Sequence, residues 1–255
     1  MLRILLLLAI LLSPAPAIAA CAEGALGTAR ELTVDVLSSA RVGKKHFPGT
    51  LPLAPKEVVL TFDDGPSPGN TERVLDALER ECVRATFFLI GRNAQAHPAL
   101  ARRTLAAGHT VAHHTYSHPW LNQLPLEKAE AEIARGFAAV DSALYGHAGA
   151  APVTPFFRFP GFASSPELLE RLERRGMAVF GADLWASDWN PMTPAETLAQ
   201  VLGRLEAAGR GIILFHDTQP HTVAMLPEFL RELKRRGFRV VHAVPSHQSA
   251  RAMPK

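Results

Sequence analysis

Val58-Val59-Leu60-Thr61-Phe62-Asp63-Asp64-Gly65-Pro66 is the stretch on which the reading of this chain turns. A short apolar, β-branched run bounded by turn residues suits a strand covered on both faces. It stops abruptly on two carboxylates and a Gly-Pro turn, so the strand delivers Asp63 and Asp64 to one spot. Adjacent carboxylates repel, and holding both ionised needs a cation, hydrogen bonds or a shared proton. Turn chemistry alone also accounts for Asp-Asp-Gly-Pro, since turns prefer these residues. What surrounds the stretch decides between the two.

Downstream, strands alternate with amphipathic helices. The pattern predicts strands over residues 58–62, 85–90, 109–113, 156–160, 177–183, 211–217 and 238–244. Helices are predicted near 71–81, 97–107, 126–144, 166–176, 194–209 and 224–236, several closing on a glycine stop such as Gly108, Gly176, Gly209 or Gly237. This is an α/β fold with a mainly parallel sheet, and a single (β/α) barrel of about seven parallel strands is the expected architecture. An open doubly wound sheet is the competing one, with its site at a switch in strand order.

Upstream, Met1-Leu2-Arg3, an apolar run from Ile4 to Leu12 and the small residues Ala15 to Ala20 have the form of a secretory signal over residues 1–20. Residues 21–55 read as an N-terminal spacer and lead-in, with one extended piece near 32–37; residues 56–244 form the domain and 245–255 a tail. The expected location is therefore outside the cytoplasm: bacterial periplasm, cell envelope or medium. Ile18-Ala19-Ala20-Cys21 resembles a lipobox, so a lipid anchor at Cys21 is one processing outcome. The other leaves Cys21 free to pair with Cys82, the second of two cysteines. Removing Arg3 with the leader takes the formal charge from +3 to +2, and the only run of three basic residues, Lys234-Arg235-Arg236, ends a helix. No nucleic-acid partner is expected.

The unusual polar residues fall at strand carboxyl ends: Asp63 and Asp64 after the first strand, His114 and His118 after the third, Arg158 in the fourth, Asp188 and Trp189 after the fifth, His216 in the sixth. In a closed parallel barrel those ends share one rim, where functional loops gather. Scattered turn acids and core histidines have no reason to choose the same rim. His114 and His118 are four apart, which on a helical turn sets them side by side, about 5–6 Å between Cβ atoms. With Asp64 they make a His₂Asp set that leaves a position open for water, as a catalytic metal site does. His109 and His113 share that spacing but lie within a strand, where residues four apart are distant, and receive no ligand role.

At these residues the chain resembles the polysaccharide deacetylase family, also called the NodB homology domain or carbohydrate esterase family 4, over roughly residues 56–244. Thr61-Phe62-Asp63-Asp64-Gly65-Pro66 matches its first motif and His114-Thr115-Tyr116-Ser117-His118-Pro119 its second. Arg158-Phe159-Pro160 matches the third, except that Gly161 stands where an aromatic is usual, with Phe162 a candidate to fill the gap. Asp188-Trp189 represents the fourth motif, though Asp183 and Trp185 nearby leave the exact acid open, with Asp188 preferred. Leu214-Phe215-His216 fits the fifth.

The resemblance implies a distorted barrel and metal-dependent removal of an acetyl group from an N-acetylglucosamine-type polysaccharide or oligosaccharide. It implies Asp63 as general base, His216 as acid, Arg158 and Asp188 as their respective partners, and Asp64, His114 and His118 around a divalent metal, zinc first, with cobalt or nickel as alternatives. Gly161 would offer its N–H to the oxyanion, while Phe162, Trp189 and Leu214 would meet substrate; Trp185 is left undecided. Arg158 and the metal are expected to hold the Asp63 pKa low. An O-acetyl esterase acting on a polysaccharide, or a glycan-binding barrel without turnover, are the alternative readings. The sequence gives no sign of oligomeric state.

Overall fold

The computed structural model describes residues 21–36 and 38–246; the leader and the last nine residues lie outside the described residues. In chain order the strands are β1 (Thr28–Val34), β2 (Arg41–Val42), β3 (Glu57–Asp63), β4 (Thr86–Leu89), β5 (Thr110–His113), β6 (Phe156–Phe157), β7 (Ala178–Phe180), β8 (Leu184–Trp185), β9 (Gly211–His216) and β10 (Arg239–Pro245). The helices are α1 (Thr71–Arg80), α2 (Gly91–Ala96), α3 (Pro98–Ala106), α4 (Leu126–Tyr145), α5 (Pro166–Arg174), α6 (Pro194–Ala208) and α7 (Pro220–Arg235). All strand pairings are parallel.

The ladder runs β8-β9-β3-β4-β5-β6-β7-β2, with β10 pairing the start of β3 and carrying β1 on its other edge. Side chains alternate between faces, as strand geometry dictates. Val59, Phe88, Ala112, Phe156, Phe180 and Ile212, from six strands, meet in one interior cluster. Their neighbours Val58, Leu60, Phe62, Phe87, Val111, Ile213 and Phe215 face the helix layer instead. One shared interior means the sheet curls into a barrel, distorted because its described ladder is open between β8 and β2. The chain itself spans that seam: Gly181 N–H donates to the Val42 carbonyl, while Asp183 N–H donates to that of Ile212. The strand expected over 177–183 therefore ends early, as β7, and an unexpected β8 follows at Leu184–Trp185, because the chain changes partner between them.

The lead-in is more than a spacer. β1 pairs β10 and β2 pairs β7, and Leu32, Val34, Val36, Val42, Leu51 and Leu53 join the interior cluster. Its polar composition reflects an edge strand with one wet face, so the sheet begins well before residue 56. Cys21 is disulfide-bonded to Cys82, tying this segment to the loop after α1. Helix α2 was not anticipated; it begins at Gly91, where a Cβ would come within 3.0 Å of the Gly136 Cα on α4, so the two helices cross almost backbone to backbone.

Candidate active site

Period-two alternation places Thr61 and Asp63 of β3 and Arg158 just beyond β6 toward the barrel interior. Arg158 is fully buried and Asp63 is only 2% exposed. The guanidinium donates from Nη1 to Asp63 Oδ1 at 2.6 Å and Thr61 Oγ1 at 2.8 Å, from Nη2 to the Gly181 carbonyl at 2.9 Å, and from Nε to that of Phe180 at 3.2 Å. It also lies 4.2 Å over the Phe88 ring. Burial raises the Asp63 pKa, and the opposing pull of Arg158, then of His216 and His118, does not cancel it. Burial of the charge thus outweighs Arg158 taken alone, and the expected depression would need the cation's charge as well. A carboxylate moved up toward working pH is the better proton acceptor.

Asp64, one residue on, leaves the strand with φ of 77°, and its carboxylate and that of Asp63 both approach His114 Nε2, at 3.5 and 3.9 Å. Its Oδ1 lies 3.5 Å from His114 Nε2 and 3.3 Å from His118 Nε2, and all three donor atoms fall within 4.8 Å of one another. Segment 114–118 is not the helical turn expected from the spacing. Thr115 and His118 take left-handed φ values of 64° and 68°. The loop is held in that form by Thr115 Oγ1 accepting from His118 N–H and by Glu132 of α4 accepting from Ser117 N–H. The imidazoles still converge, with ring centroids 5.0 Å apart. His114 Nδ1 lies 2.8 Å from the Arg158 carbonyl, which only an N–H there can satisfy, so its Nε2 is the bare lone pair. Burial pushes the His114 pKa down to about 3, keeping the ring neutral.

Across the Asp64 carboxylate, His216 Nε2 lies 3.9 Å from Oδ2. His216 Nδ1 donates to Asp188 Oδ1 at 2.8 Å, its backbone N–H donates to Asp188 Oδ2 at 2.7 Å, and Thr222 Oγ1 donates to that same oxygen at 2.7 Å. Burial alone would lower the His216 pKa, but the Asp188 hydrogen bond and charge, with Asp64 and Asp63, push it up to about 9. Burial likewise opposes ionisation of Asp188, yet hydrogen bonds from His216 and Thr222 hold it below the usual carboxylate range. Asp183 sits elsewhere, accepting from the backbone N–H groups of Ile212 and Lys44.

Trp189 is half exposed, edge-on to the His216 ring at 6.0 Å, and Trp185 meets Trp189 at 5.9 Å. Leu214 is buried opposite Trp185 in the β8–β9 register. Phe162 stacks on His46 at 3.6 Å, and Gly161, with φ of 55°, has Trp120 against it. Three residues here escaped the sequence reading. His46 belongs to the lead-in, and nothing in its surroundings signals a ring contact. Trp120 follows the His118-Pro119 pair, a signal within reach. Asp217 directly follows His216; it is fully buried, accepts from Thr71 Oγ1 at 2.5 Å, and burial first, then the Asp64 and Asp63 charges, raise its pKa to about 7. His109 and His113 take no part: His109 accepts from Ala85 N–H, and His113 is buried against Phe137.

The polysaccharide deacetylase family profile matches residues 51–180. The chain is 31% identical over 204 residues to a chitooligosaccharide deacetylase of Bradyrhizobium, covering 74% of this chain and 90% of that protein. It is 31% identical over 214 residues to the peptidoglycan-N-acetylglucosamine deacetylase PgdA of Listeria monocytogenes, covering 81% of this chain but only 43% of the Listeria protein. The solved structure of a Bdellovibrio bacteriovorus peptidoglycan deacetylase superposes with a TM-score of 0.77 at 32% identity, covering 89% of this chain and 62% of that one. The chain thus spans less than two thirds of the length of some relatives and nearly all of another. With the family profile matched across half its length and the motif residues gathered on one barrel rim, this chain belongs to the polysaccharide deacetylase family.

Proposed function

We propose that this protein hydrolyses the N-acetyl group of N-acetylglucosamine-type residues in a cell-envelope or extracellular polysaccharide. The observation that carries the reading is the placement of Asp63 and His216 about the Asp64-His114-His118 set: Asp63 Oδ2 is 3.9 Å from His114 Nε2, and His216 Nε2 is 3.9 Å from Asp64 Oδ2. A binding module needs no such pair of proton-transfer groups. The names carried by the Bradyrhizobium, Listeria and Bdellovibrio relatives support N-acetyl chemistry.

The donor set fits a divalent cation. Asp64 Oδ1 is buried with no hydrogen-bond partner, and two imidazole nitrogens face it at 3.3 and 3.5 Å. Ligands held about 2.0–2.1 Å from a tetrahedral zinc stand about 3.3–3.4 Å apart. Asp64, His114 and His118 would hold zinc, which when bound polarises a carbonyl and lowers the pKa of water toward about 7.

The chain's own residues supply the rest. Asp63, anchored by Arg158, takes a proton from the attacking water as its oxygen bonds to the amide carbon. Amine is a poor leaving group, so the C–N bond breaks only as the nitrogen gains a proton. His216, protonated at neutral pH, gives its Nε2 proton to that nitrogen, while Asp188 fixes Nδ1–H and steadies the charged ring. The Gly161 N–H would donate to the developing oxyanion. Phe162, Trp189 and Leu214 border the slot for the acetyl methyl. Export fits the leader of residues 1–20 and the Cys21–Cys82 bridge, which persists in an oxidising compartment. Among the described residues no helix is long and apolar enough to cross a membrane.

The test is acetate release from a panel of N-acetylglucosamine oligomers, peptidoglycan and O-acetylated xylan, with and without chelator, beside Asp63→Asn. The expected outcome is chelator-sensitive release from the N-acetylated substrates, reduced about 10²–10⁴-fold in the variant. Release from xylan alone, or turnover indifferent to chelator, would overturn the assignment.

A further inference from the structure

Among the described residues three large apolar side chains stand open to solvent: Trp120, Val153 and Trp189, at 56%, 51% and 50% exposed. Two of the three flank the candidate site. Trp189 neighbours His216, which faces Asp64 Oδ2, whereas Trp120 lies two residues past His118, which faces Asp64 Oδ1. Trp189 is thus tied to the His216 side of the site by ring contact, and Trp120 to the His118 side by two residues of chain.

Trp120 also occupies a definite place. A Cβ at Gly161 would come within 3.0 Å of Trp120 Nε1 and 3.3 Å of its Cε2, closer than ordinary packing allows. The indole thus fills the space into which a side chain at 161 would grow. Its backbone is fixed on both sides. Leu121, the next residue, is 1% exposed and sits in the cluster with Ile133 and Phe159. Asn122 N–H donates to the Ala163 carbonyl, tying the turn after Trp120 to the turn that holds Gly161. A large aromatic left open on so firm a mount is preorganised for a flat apolar ligand face, with little ordering cost on binding.

We propose that Trp120 is a substrate-binding platform that stacks on a pyranose face of the acetylated glycan, taking over the place of the side chain absent at position 161, so that the chain is gripped between Trp120 and Trp189. The proposal rests on the deacetylase reading and adds to it a residue that sets affinity for sugar rather than chemistry. A β-1,4-linked N-acetylglucosamine tetramer is the probe. Steady-state acetate release is measured for the wild-type enzyme, Trp120→Ala and Trp120→Phe, and tetramer binding is measured separately by calorimetry on chelated protein, where no turnover intrudes.

Trp120→Ala should raise KM and weaken tetramer binding about tenfold while kcat stays within about twofold, and Trp120→Phe should recover most of the loss. Because the indole is exposed, the melting temperature should not move, which a thermal scan checks. Unchanged KM and affinity in Trp120→Ala, with an active wild type, would overturn the platform and leave the deacetylase reading intact. A fall in kcat with KM unchanged would also overturn it. A wild type that binds the tetramer but releases no acetate from any glycan would strike the deacetylase reading alone.

Discussion

Replacing Arg158 with Met tests the central packing argument, because Met keeps an apolar stem against Phe88 and removes only the guanidinium. Four hydrogen bonds then vanish: those to Asp63, Thr61, and the carbonyls of Phe180 and Gly181. The loss that matters is at Asp63, left 2% exposed without the guanidinium that donates to it, its largest counter-charge. Breaking a buried ion pair from one side costs about 3–5 kcal/mol. For a chain of this size each kcal/mol lowers the melting temperature by roughly 2–4 °C, so Arg158→Met should melt about 10 °C below wild type. The scan is run with chelator, since a bound metal would add stability of its own. The double variant Asp63→Asn/Arg158→Met should recover part of the deficit, with a coupling of about 2 kcal/mol, because the orphaned carboxylate is gone. A single variant melting within about 2 °C of wild type, or a double variant equal to the sum of the singles, would refute the reasoning.

Further predictions follow from other contacts. Asp188→Asn removes the charge that helps raise His216 to about 9; on the proposed mechanism His216 acts only when protonated, so the high-pH limb of kcat should move to lower pH, as a pH–rate profile reads directly. Gly136→Ala would set a Cβ 2.5 Å from the Thr115 carbonyl carbon, displacing the loop that carries His114 and His118. Zinc affinity by calorimetry should fall at least tenfold, although alanine alone would favour the helix by about 1 kcal/mol. Glu57 accepts from Arg30 and the Ala54 N–H; the Arg30 hydrogen bond above all holds its pKa down to about 2. A depressed carboxylate stabilises the fold above its unfolded pKa and loses that contribution as pH falls toward 2. Discounting for the exposed Arg30, Glu57→Gln should remove roughly 1–2 kcal/mol of the pH dependence of denaturant stability below pH 4.5.

The rim was legible because strand ends carry their own punctuation: an apolar run stopped by Asp63-Asp64-Gly65-Pro66, and His216 closing Gly211–His216, mark where side chains emerge whatever the rest of the fold does. Each predicted strand and helix has a counterpart for the same reason. What escaped depends on contacts between distant segments. Spacing alone suggests a helical turn over 114–118, whereas its left-handed residues are held by the Thr115–His118 contact and by Glu132 on the distant α4. Strand β1 shows in the sequence only as an extended piece near 32–37, because an edge strand buries one face only and leaves Arg30, Glu31 and Thr33 to look like linker. Strand β8 exists because the chain changes neighbours at Gly181, an event no local pattern records. His46 reaches the aromatic wall for a similar reason: β2 pairs β7, and the paired residues Val42 and Phe180 lie 138 positions apart.

The pairing of β1 with β10 carries a practical consequence for anyone trimming this protein. Cutting at the family boundary near residue 51 would discard β1 and strip Val240 to Val244 of their neighbour, baring a hydrophobic edge with unsatisfied amides. Such an edge templates cross-molecular strand addition, so the shortened chain should precipitate even with every catalytic group retained.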